Sequence, residues 1–192
     1  REASCQEILR RYYTALCDQK QGKADDAQIL KLELLMKKAG VSPEQRRVVA
    51  PAMEKAAATG GPAAALELPD GTIVTGKTSS LLGASAALVL NTLKELAGVP
   101  DQVHLIAPAV IEPIQHLKVD HLGNRNPRLH IDEVLIALSI SATTDPAAAK
   151  AMEQLHKLRG CDVHSSVILS AVDEKTFKRL GVNVTCQPQY KA

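Results

Sequence analysis

The chain has 192 residues, of which 45% are hydrophobic and 23% are charged, and its formal net charge at pH 7 is +2. This composition is typical of one or two compact domains and gives no indication of disorder. Only 2% of the residues are aromatic, so the stacking rings and strong positive charge that favour nucleic-acid binding are both lacking.

Helical patterns fill the first third of the chain. Apolar residues recur at helical spacing over residues 2–21 and 29–36. A third helix begins at Ser42-Pro43, which supplies an N-cap and a proline at the first helical position, and Gly60-Gly61 ends it. We therefore predict a helical subdomain over residues 1–60.

Strands and helices alternate in the remainder of the chain. Ala64–Leu68 and Thr72–Thr75 flank an Asp-Gly turn, a pattern typical of a β-hairpin. Ser79 or Ser80 is expected to cap the Ala-rich helix that follows. Further apolar runs predict strands over residues 103–107, 163–169 and 182–186. This alternation favours a layered α/β domain over residues 61–192.

A P-loop pattern, G-x-x-x-x-G-K-[ST], is matched by Gly71–Thr78. The four residues between its glycines, Thr72–Thr75, are all β-branched and prefer an extended backbone, which opposes the tight curl of a phosphate-binding loop. They also follow an Asp-Gly turn. We therefore interpret this segment as the second strand of a hairpin.

Four polar residues, Lys77, Thr78, Ser79 and Ser80, stand directly before a predicted helix. The N–H groups and the positive dipole end of a helix N-terminus attract anions, so a phosphate or carboxylate could bind there. The alternative is that the hydroxyls cap the helix while the lysine lies in solvent.

A second polar window contains His121, Asn124, Asn126, Arg128 and His130. Imidazoles transfer protons near neutral pH, and a guanidinium binds carboxylate or phosphate with two hydrogen bonds. We assign candidate catalytic roles to His121, Arg128 and His130, and binding roles to the two asparagines. The alternative is a solvated connection between helices.

The remaining signals concern location and metals. The four cysteines, Cys5, Cys17, Cys161 and Cys186, form no C-x-x-C pair, which favours reduced thiols in the cytoplasm. Neither a signal peptide nor a long apolar span is found, and histidines and cysteines lack the spacing of zinc ligands. The sequence therefore predicts no membrane association and no metal, and it identifies no cofactor.

Several longer segments carry a resemblance to a known family. They are Lys77–Gly83, Val110–Gln115, Gly123–His130, Val163–Ser166 and Leu180–Thr185. Together they resemble the C-terminal part of an uncharacterised bacterial family catalogued as domain of unknown function 1846. The family is longer, so the resemblance implies an N-terminal half of the same polypeptide as a partner. A chain that opens without Met, inside a helical pattern, agrees with that.

The resemblance also implies a fold. The family's C-terminal part is similar in topology to the cytidine deaminase fold, an α/β/α sandwich. The zinc chemistry of that fold requires His- or Cys-x-Glu at one helix start and Pro-Cys-x-x-Cys at another. Here Thr78-Ser79-Ser80 fills the first position and a C-x-x-C is lacking, so zinc deamination is not expected.

Two hypotheses about function follow. In the first, this is the C-terminal domain of an enzyme that binds a phosphorylated or carboxylated small metabolite. In the second, it is a non-enzymatic interaction domain, in which the apolar helix over residues 131–142 and the Ala-rich helix from Ser80 build a homo-oligomer interface.

Overall fold

A four-stranded mixed sheet lies at the centre of the computed structural model, which describes residues 1–191. Its strands are β1 (Ala63–Glu67), β2 (Ile73–Lys77), β3 (Asp162–Ser165) and β4 (Asn183–Cys186). The order is β2-β1-β3-β4, in which β1 is antiparallel to both of its neighbours and β3 is parallel to β4. Ala65 of β1 lies opposite Thr75 of β2 and His164 of β3.

Eight α-helices surround the sheet within residues 1–191. They are α1 (Glu2–Lys20), α2 (Asp26–Ala39), α3 (Val49–Thr59), α4 (Ala84–Ala97), α5 (Pro108–His116), α6 (Ile131–Ser141), α7 (Pro146–Met152) and α8 (Ala171–Arg179). The predicted mixed α/β class is therefore confirmed, whereas the likeness to the cytidine deaminase topology stays a prediction.

The alternation of side chains along β1 divides the helices into two layers. Ala64 and Leu66 belong to the main core, which includes residues of α4, α6, α7 and α8. Ala65, which points to the opposite face, packs with Val48 and with Ala52 of α3. The Tyr13 ring of α1 also lies on this second face, because it contacts His164, the β3 partner of Ala65, at a centroid distance of 4.9 Å.

The N-terminal helices meet in a small core of their own, built on Leu9, Met36 and Val41. Helix α3 instead packs against β1 and β2. The division of the chain near residue 60 stays a prediction.

A buried arginine fastens the segment before α3 to the sheet. The Arg46 side chain is 1% exposed; its Nε donates to Thr185 Oγ1 at 2.8 Å, and its Nη2 donates to the carbonyls of Val163 at 3.1 Å and Asn183 at 2.8 Å. Its Nη1 lies 3.3 Å from Asp162 Oδ1, an ion pair without hydrogen-bond alignment. One guanidinium thus joins β3 and β4.

The segment that matches the P-loop pattern is a hairpin strand. Ile73–Lys77 forms β2, because its β-branched residues suit a pleated strand. Gly76 has no side chain where α4 crosses: a Cβ there would lie 2.3 Å from Leu88 N and 2.8 Å from Ala84 O. This glycine therefore sets how closely α4 approaches the sheet.

Two predicted strands need correction. Residues 103–107 form an irregular turn in which Leu105 and Ile106 are buried in the core, so their apolar character reflects packing rather than strand pairing. The strand predicted over residues 163–169 ends at Ser165. Its hydroxyl donates to Val167 O at 2.7 Å, a local bond that turns the chain away from the sheet.

The predicted cap of the Ala-rich helix is also wrong. Helix α4 begins at Ala84, and its N-cap is Gly83, which has no capping side chain. The Ser79 hydroxyl instead accepts from Leu81 N at 3.2 Å and Leu82 N at 3.1 Å, in a turn that precedes the helix.

Candidate functional site

A cleft of about 150 Å³ lies where α4, α6 and α8 begin, next to the carboxyl end of β3. The N-caps of the three helices, Gly83, His130 and Ser170, all line it. Other polar residues along its wall are Thr78, Ser85, Asn126, Arg128 and Asp173. Three positive helix-dipole ends therefore point toward one small volume.

A short parallel bridge holds the polar loop beside the start of α4. Leu129 N donates to Leu81 O at 3.0 Å, and Gly83 N donates to Leu129 O at 3.2 Å. Leu129 is fully buried. Because its neighbours Arg128 and His130 flank this anchored residue, both are fixed at the cleft.

His130 is paired with a carboxylate from α8. Its Nδ1 lies 3.3 Å from Asp173 Oδ2, and the other oxygen of Asp173 accepts from Ile131 N at 3.0 Å. The hydrogen bond with Asp173 raises the pKa of His130, against the opposing effect of burial. Since Nδ1 is engaged, Nε2 is the nitrogen left to contact a ligand.

Arg128 is oriented through its backbone and its Nε. Its N–H donates to Asn126 Oδ1 at 3.1 Å, and its Nε donates to Ser79 O at 2.6 Å. Within residues 1–191 its two terminal nitrogens make no hydrogen bond or ion pair. They remain for the two parallel hydrogen bonds that a guanidinium makes with an oxyanion.

The first turn of α4 contributes donors that lack acceptors in the described part of the chain. The N–H groups of Ala84 and Ser85 make no hydrogen bond there. Within residues 1–191 the Ser85 side chain also makes no hydrogen bond, although the residue is only 3% exposed. Nη1 of Arg46 is sealed from solvent, whereas the Ser85 hydroxyl is not. The Ser85 hydroxyl therefore opens onto the cleft that this residue lines.

A buried lysine supports the site from behind. Lys118 is 4% exposed, and its Nζ donates to Arg128 O at 2.6 Å and to Glu133 Oε1 at 2.7 Å. The same Glu133 oxygen accepts from His130 N at 2.8 Å. These bonds fix the backbone on both sides of Leu129.

The structure divides the residues that the sequence singled out. Thr78, Asn126, Arg128 and His130 line the cleft. The others lie elsewhere: Lys77 is the exposed last residue of β2, Ser79 and Ser80 are in the turn before α4, His121 ends a π-helical turn, and Asn124 follows it.

Sequence reasoning missed three residues around the site. Asp173 stands three residues after Ser170, a spacing typical of a helix cap alone; its N–H does donate to the Ser170 hydroxyl, but its carboxylate reaches α6. Ser85 lies two residues after the N-cap Gly83, and a glycine at that position is a signal for a helix N-terminus without a capping side chain. Lys118, between two apolar residues, gave no such signal.

Three structural observations bear on the other expectations. Within residues 1–191, His, Cys, Asp and Glu side chains nowhere gather in a group of three that could hold a metal ion. All four cysteines are unpaired thiols in this part of the chain. None of its helices is both long and apolar enough to cross a membrane.

Comparison with known proteins identifies the family. Residues 44–192 match the family described as "Domain of unknown function DUF1846, C-terminal", and residues 1–40 match "Domain of unknown function DUF1846, N-terminal". The chain therefore belongs to the DUF1846 family, an uncharacterised family, as its segments led us to expect.

The similar curated proteins are bacterial and carry the name UPF0371 protein. The chain is 57% identical over 190 residues to one from Corynebacterium urealyticum and 56% identical over 191 residues to one from Corynebacterium efficiens. A relative from Streptococcus pneumoniae is 52% identical over 190 residues. These alignments cover 99–100% of this chain but only 38–39% of each relative.

Proposed function

We propose that the cleft at the start of α4, α6 and α8 binds the anionic group of a small phosphorylated or carboxylated metabolite. One observation carries this proposal: donors from separate elements face one small volume without acceptors of their own in the described part of the chain. They are the N–H groups of Ala84 and Ser85, the Ser85 hydroxyl and the terminal nitrogens of Arg128.

Electrostatics favours the same ligand. These donors line an open cleft, and an oxyanion would accept charge-assisted hydrogen bonds from several of them at once. The α4 N-terminus and Arg128 both contribute positive potential. The nearest carboxylate, Asp173, is already bonded to His130 and Ile131, so it competes less for the donors.

His130 supplies the chemistry that an enzyme of this kind would use. Asp173 fixes the ring through Nδ1 and raises the pKa of the imidazole, so the imidazolium persists to a higher pH than in an isolated histidine. It can therefore donate a proton or a hydrogen bond to the bound anion. Thr78 and Asn126, at the rim of the cleft, would orient the remainder of the ligand.

The proposal is tested by thermal stability in the presence of a panel of phosphorylated and carboxylated metabolites. We expect binders to raise the melting temperature of the chain, and Arg128→Gln to abolish that rise. Arg125→Gln is the matched control, because Arg125 is exposed in the same loop and does not line the cleft. Equal responses in Arg128→Gln and the parent chain would refute the proposal.

A second candidate function is interaction with the remainder of a longer polypeptide. Leu30 and Leu34 are one helical turn apart on α2 and are 57% and 51% exposed. Residues 1–40 match the N-terminal family domain, and the relatives are more than twice as long as this chain. We propose that these leucines contact the N-terminal region in such a polypeptide.

Hydrogen exchange separates this idea from a solvent-exposed helix. The α2 amides should exchange more slowly in the longer polypeptide than in this chain, because burial of the leucines stabilises the helix. Equal exchange rates in the two would refute the contact.

Of the two helices that the sequence offered for a homo-oligomer interface, α6 exposes large apolar side chains and α4 is mostly buried. Ile136 and Ile140, one turn apart on α6, are 60% and 62% exposed. Helix α4 is instead buried in the core over most of its length, so it is not available to a partner. If two copies pair through α6, Ile136→Glu should convert dimers to monomers in light scattering, and a parent chain that is monomeric at all concentrations would refute the pairing.

A further inference from the structure

We infer that the ligand is a phosphate monoester with a ring-bearing organic body, and that this body occupies a second cleft that adjoins the first. The inference rests on the proposed anion site and specifies its substrate class. The second cleft, of about 290 Å³, shares Pro62, Val167 and Lys191 with the anion cleft. A ligand can therefore extend from one into the other.

The donors of the anion cleft suit a phosphoryl group better than a carboxylate. They come from the first turn of α4, from Arg128 on the facing loop and from His130 at the start of α6. A carboxylate offers two oxygens in one plane, whereas a phosphate monoester offers three terminal oxygens around a tetrahedral centre and nearly twice the charge. The tetrahedral group presents more oxygens, in more directions, to donors that approach from separate elements.

Ser85 gives independent support for a ligand at this helix N-terminus. Its hydroxyl belongs to a residue that is 3% exposed, has no partner in the described part of the chain and opens onto the cleft. Side-chain hydroxyls of residues this buried usually have a hydrogen-bond partner. A phosphate oxygen beside the Ala84 and Ser85 amides would accept from it.

The second cleft provides a stretch of wall without side chains and an aromatic ring. Gly60 and Gly61 line it, and a Cβ added at either position would meet no atom within 4 Å. Tyr190, 54% exposed, also lines it. A planar or sugar ring can lie between an aromatic side chain and a surface without side chains, as bases do on stacking platforms.

The side-chain amide of Gln189 also lines the second cleft. Gln189 Nε2 donates to Ser166 O at 2.7 Å, which fixes the side-chain amide. Its Oε1 makes no hydrogen bond within residues 1–191. This oxygen can accept from a hydroxyl or amino group of the ligand body, so the second cleft offers both stacking and one directed hydrogen bond.

Calorimetric titration with five probes tests the inference: inorganic phosphate, glycerate, glycerol 3-phosphate, ribose 5-phosphate and AMP. We expect phosphate esters to bind more tightly than glycerate, and the ring-bearing esters to bind about tenfold more tightly than glycerol 3-phosphate. Tighter binding of AMP than of ribose 5-phosphate would show that the base is the ring that lies in the second cleft. The reverse order would show that the sugar lies there, and either order supports the inference.

Gly61→Leu isolates the second cleft. The backbone of Gly61 is not in the left-handed region, and its Cβ position opens into empty space, so the variant should fold. It should lower the affinity for the ring-bearing esters about tenfold and leave inorganic phosphate unchanged. Arg128→Gln should weaken all the phosphate probes.

Two results would overturn the inference. One is equal affinity for inorganic phosphate, glycerol 3-phosphate and the ring-bearing esters, with Arg128 still required. This result would contradict binding in the second cleft but would still support the anion site. Failure of every anion to bind in an Arg128-dependent way would overturn both proposals together.

Discussion

The Nδ1 atom of His130 lies 3.3 Å from Oδ2 of Asp173 and joins the first turns of α6 and α8 across the mouth of a small cleft. The second oxygen of Asp173 accepts from Ile131 N at 3.0 Å, so the carboxylate also caps α6. One side chain thereby positions a helix and sets the protonation of the imidazole that faces the cleft.

Replacing Asp173 by Asn should lower the pKa of His130. The amide keeps an oxygen for Ile131 N but loses the negative charge that favours the imidazolium. An NMR titration of the imidazole protons measures the change. A His130 pKa unaltered by the substitution would mean that the carboxylate does not control this group.

The same pair gives stability a defined pH dependence. The pKa of His130 in the folded chain is raised above 6.5, its ordinary value. Its contribution to the free energy of unfolding is therefore fully present below about pH 6.5 and is lost as the pH rises through the folded pKa. Urea unfolding at several pH values should show this loss in the parent chain and not in Asp173→Asn.

Gly76→Ala should destabilise the chain strongly. The added Cβ would lie 2.3 Å from Leu88 N, inside van der Waals contact with backbone that cannot rotate away. We expect a loss of about 3 kcal/mol or more in the free energy of unfolding. Gly61→Ala is the control, since its Cβ meets nothing within 4 Å; equal midpoints in urea for both variants would contradict the close approach of α4.

Arg46→Met should also be costly, because it removes a buried cation and leaves the carbonyls of Val163 and Asn183 without this donor. The expected loss in the free energy of unfolding is about 3 kcal/mol. The neighbouring Arg47 is 64% exposed and pairs with Glu67 at the surface, so Arg47→Met should change the free energy of unfolding by less than about 1 kcal/mol. Similar effects of the two substitutions would show that Arg46 does not hold the sheet.

Buried His164 should make the fold sensitive to acid. Burial lowers its pKa from 6.5 to about 4, so the unfolded chain binds the proton more readily than the folded chain. Above about pH 6.5 the imidazole is neutral in both the folded and the unfolded chain, so folding has no proton to release. As the pH drops toward 4, the free energy of unfolding should fall by about 3 kcal/mol in total. His164→Gln should flatten this part of the stability profile; an unchanged slope would assign it to other groups.

Much of the fold could be predicted because local patterns are strong in this chain. Asp-Gly followed by a β-branched run specified the hairpin, and Gly60 marked the end of α3. The segment around Leu105 and Ile106 misled the prediction, since a short buried run has no periodicity that separates a strand from an irregular core segment.

The cleft could be predicted only in part. Arg128 and His130 stood out as polar residues in one window, but their partners come from distant positions. Asp173 is 43 residues from His130, and Ser79 is 49 residues from Arg128. Such pairings depend on how α4, α6 and α8 pack, which spacing along the chain does not specify.

The most direct test of the anion site is an NMR titration of the 15N-labelled chain with inorganic phosphate. The account predicts saturable shifts at the amides of Ala84, Ser85 and His130 in the parent chain. It predicts that Arg128→Gln weakens them strongly while Arg125→Gln does not. Amides at the start of α4 that do not respond to phosphate, or that respond equally in both variants, would contradict an anion site in this cleft.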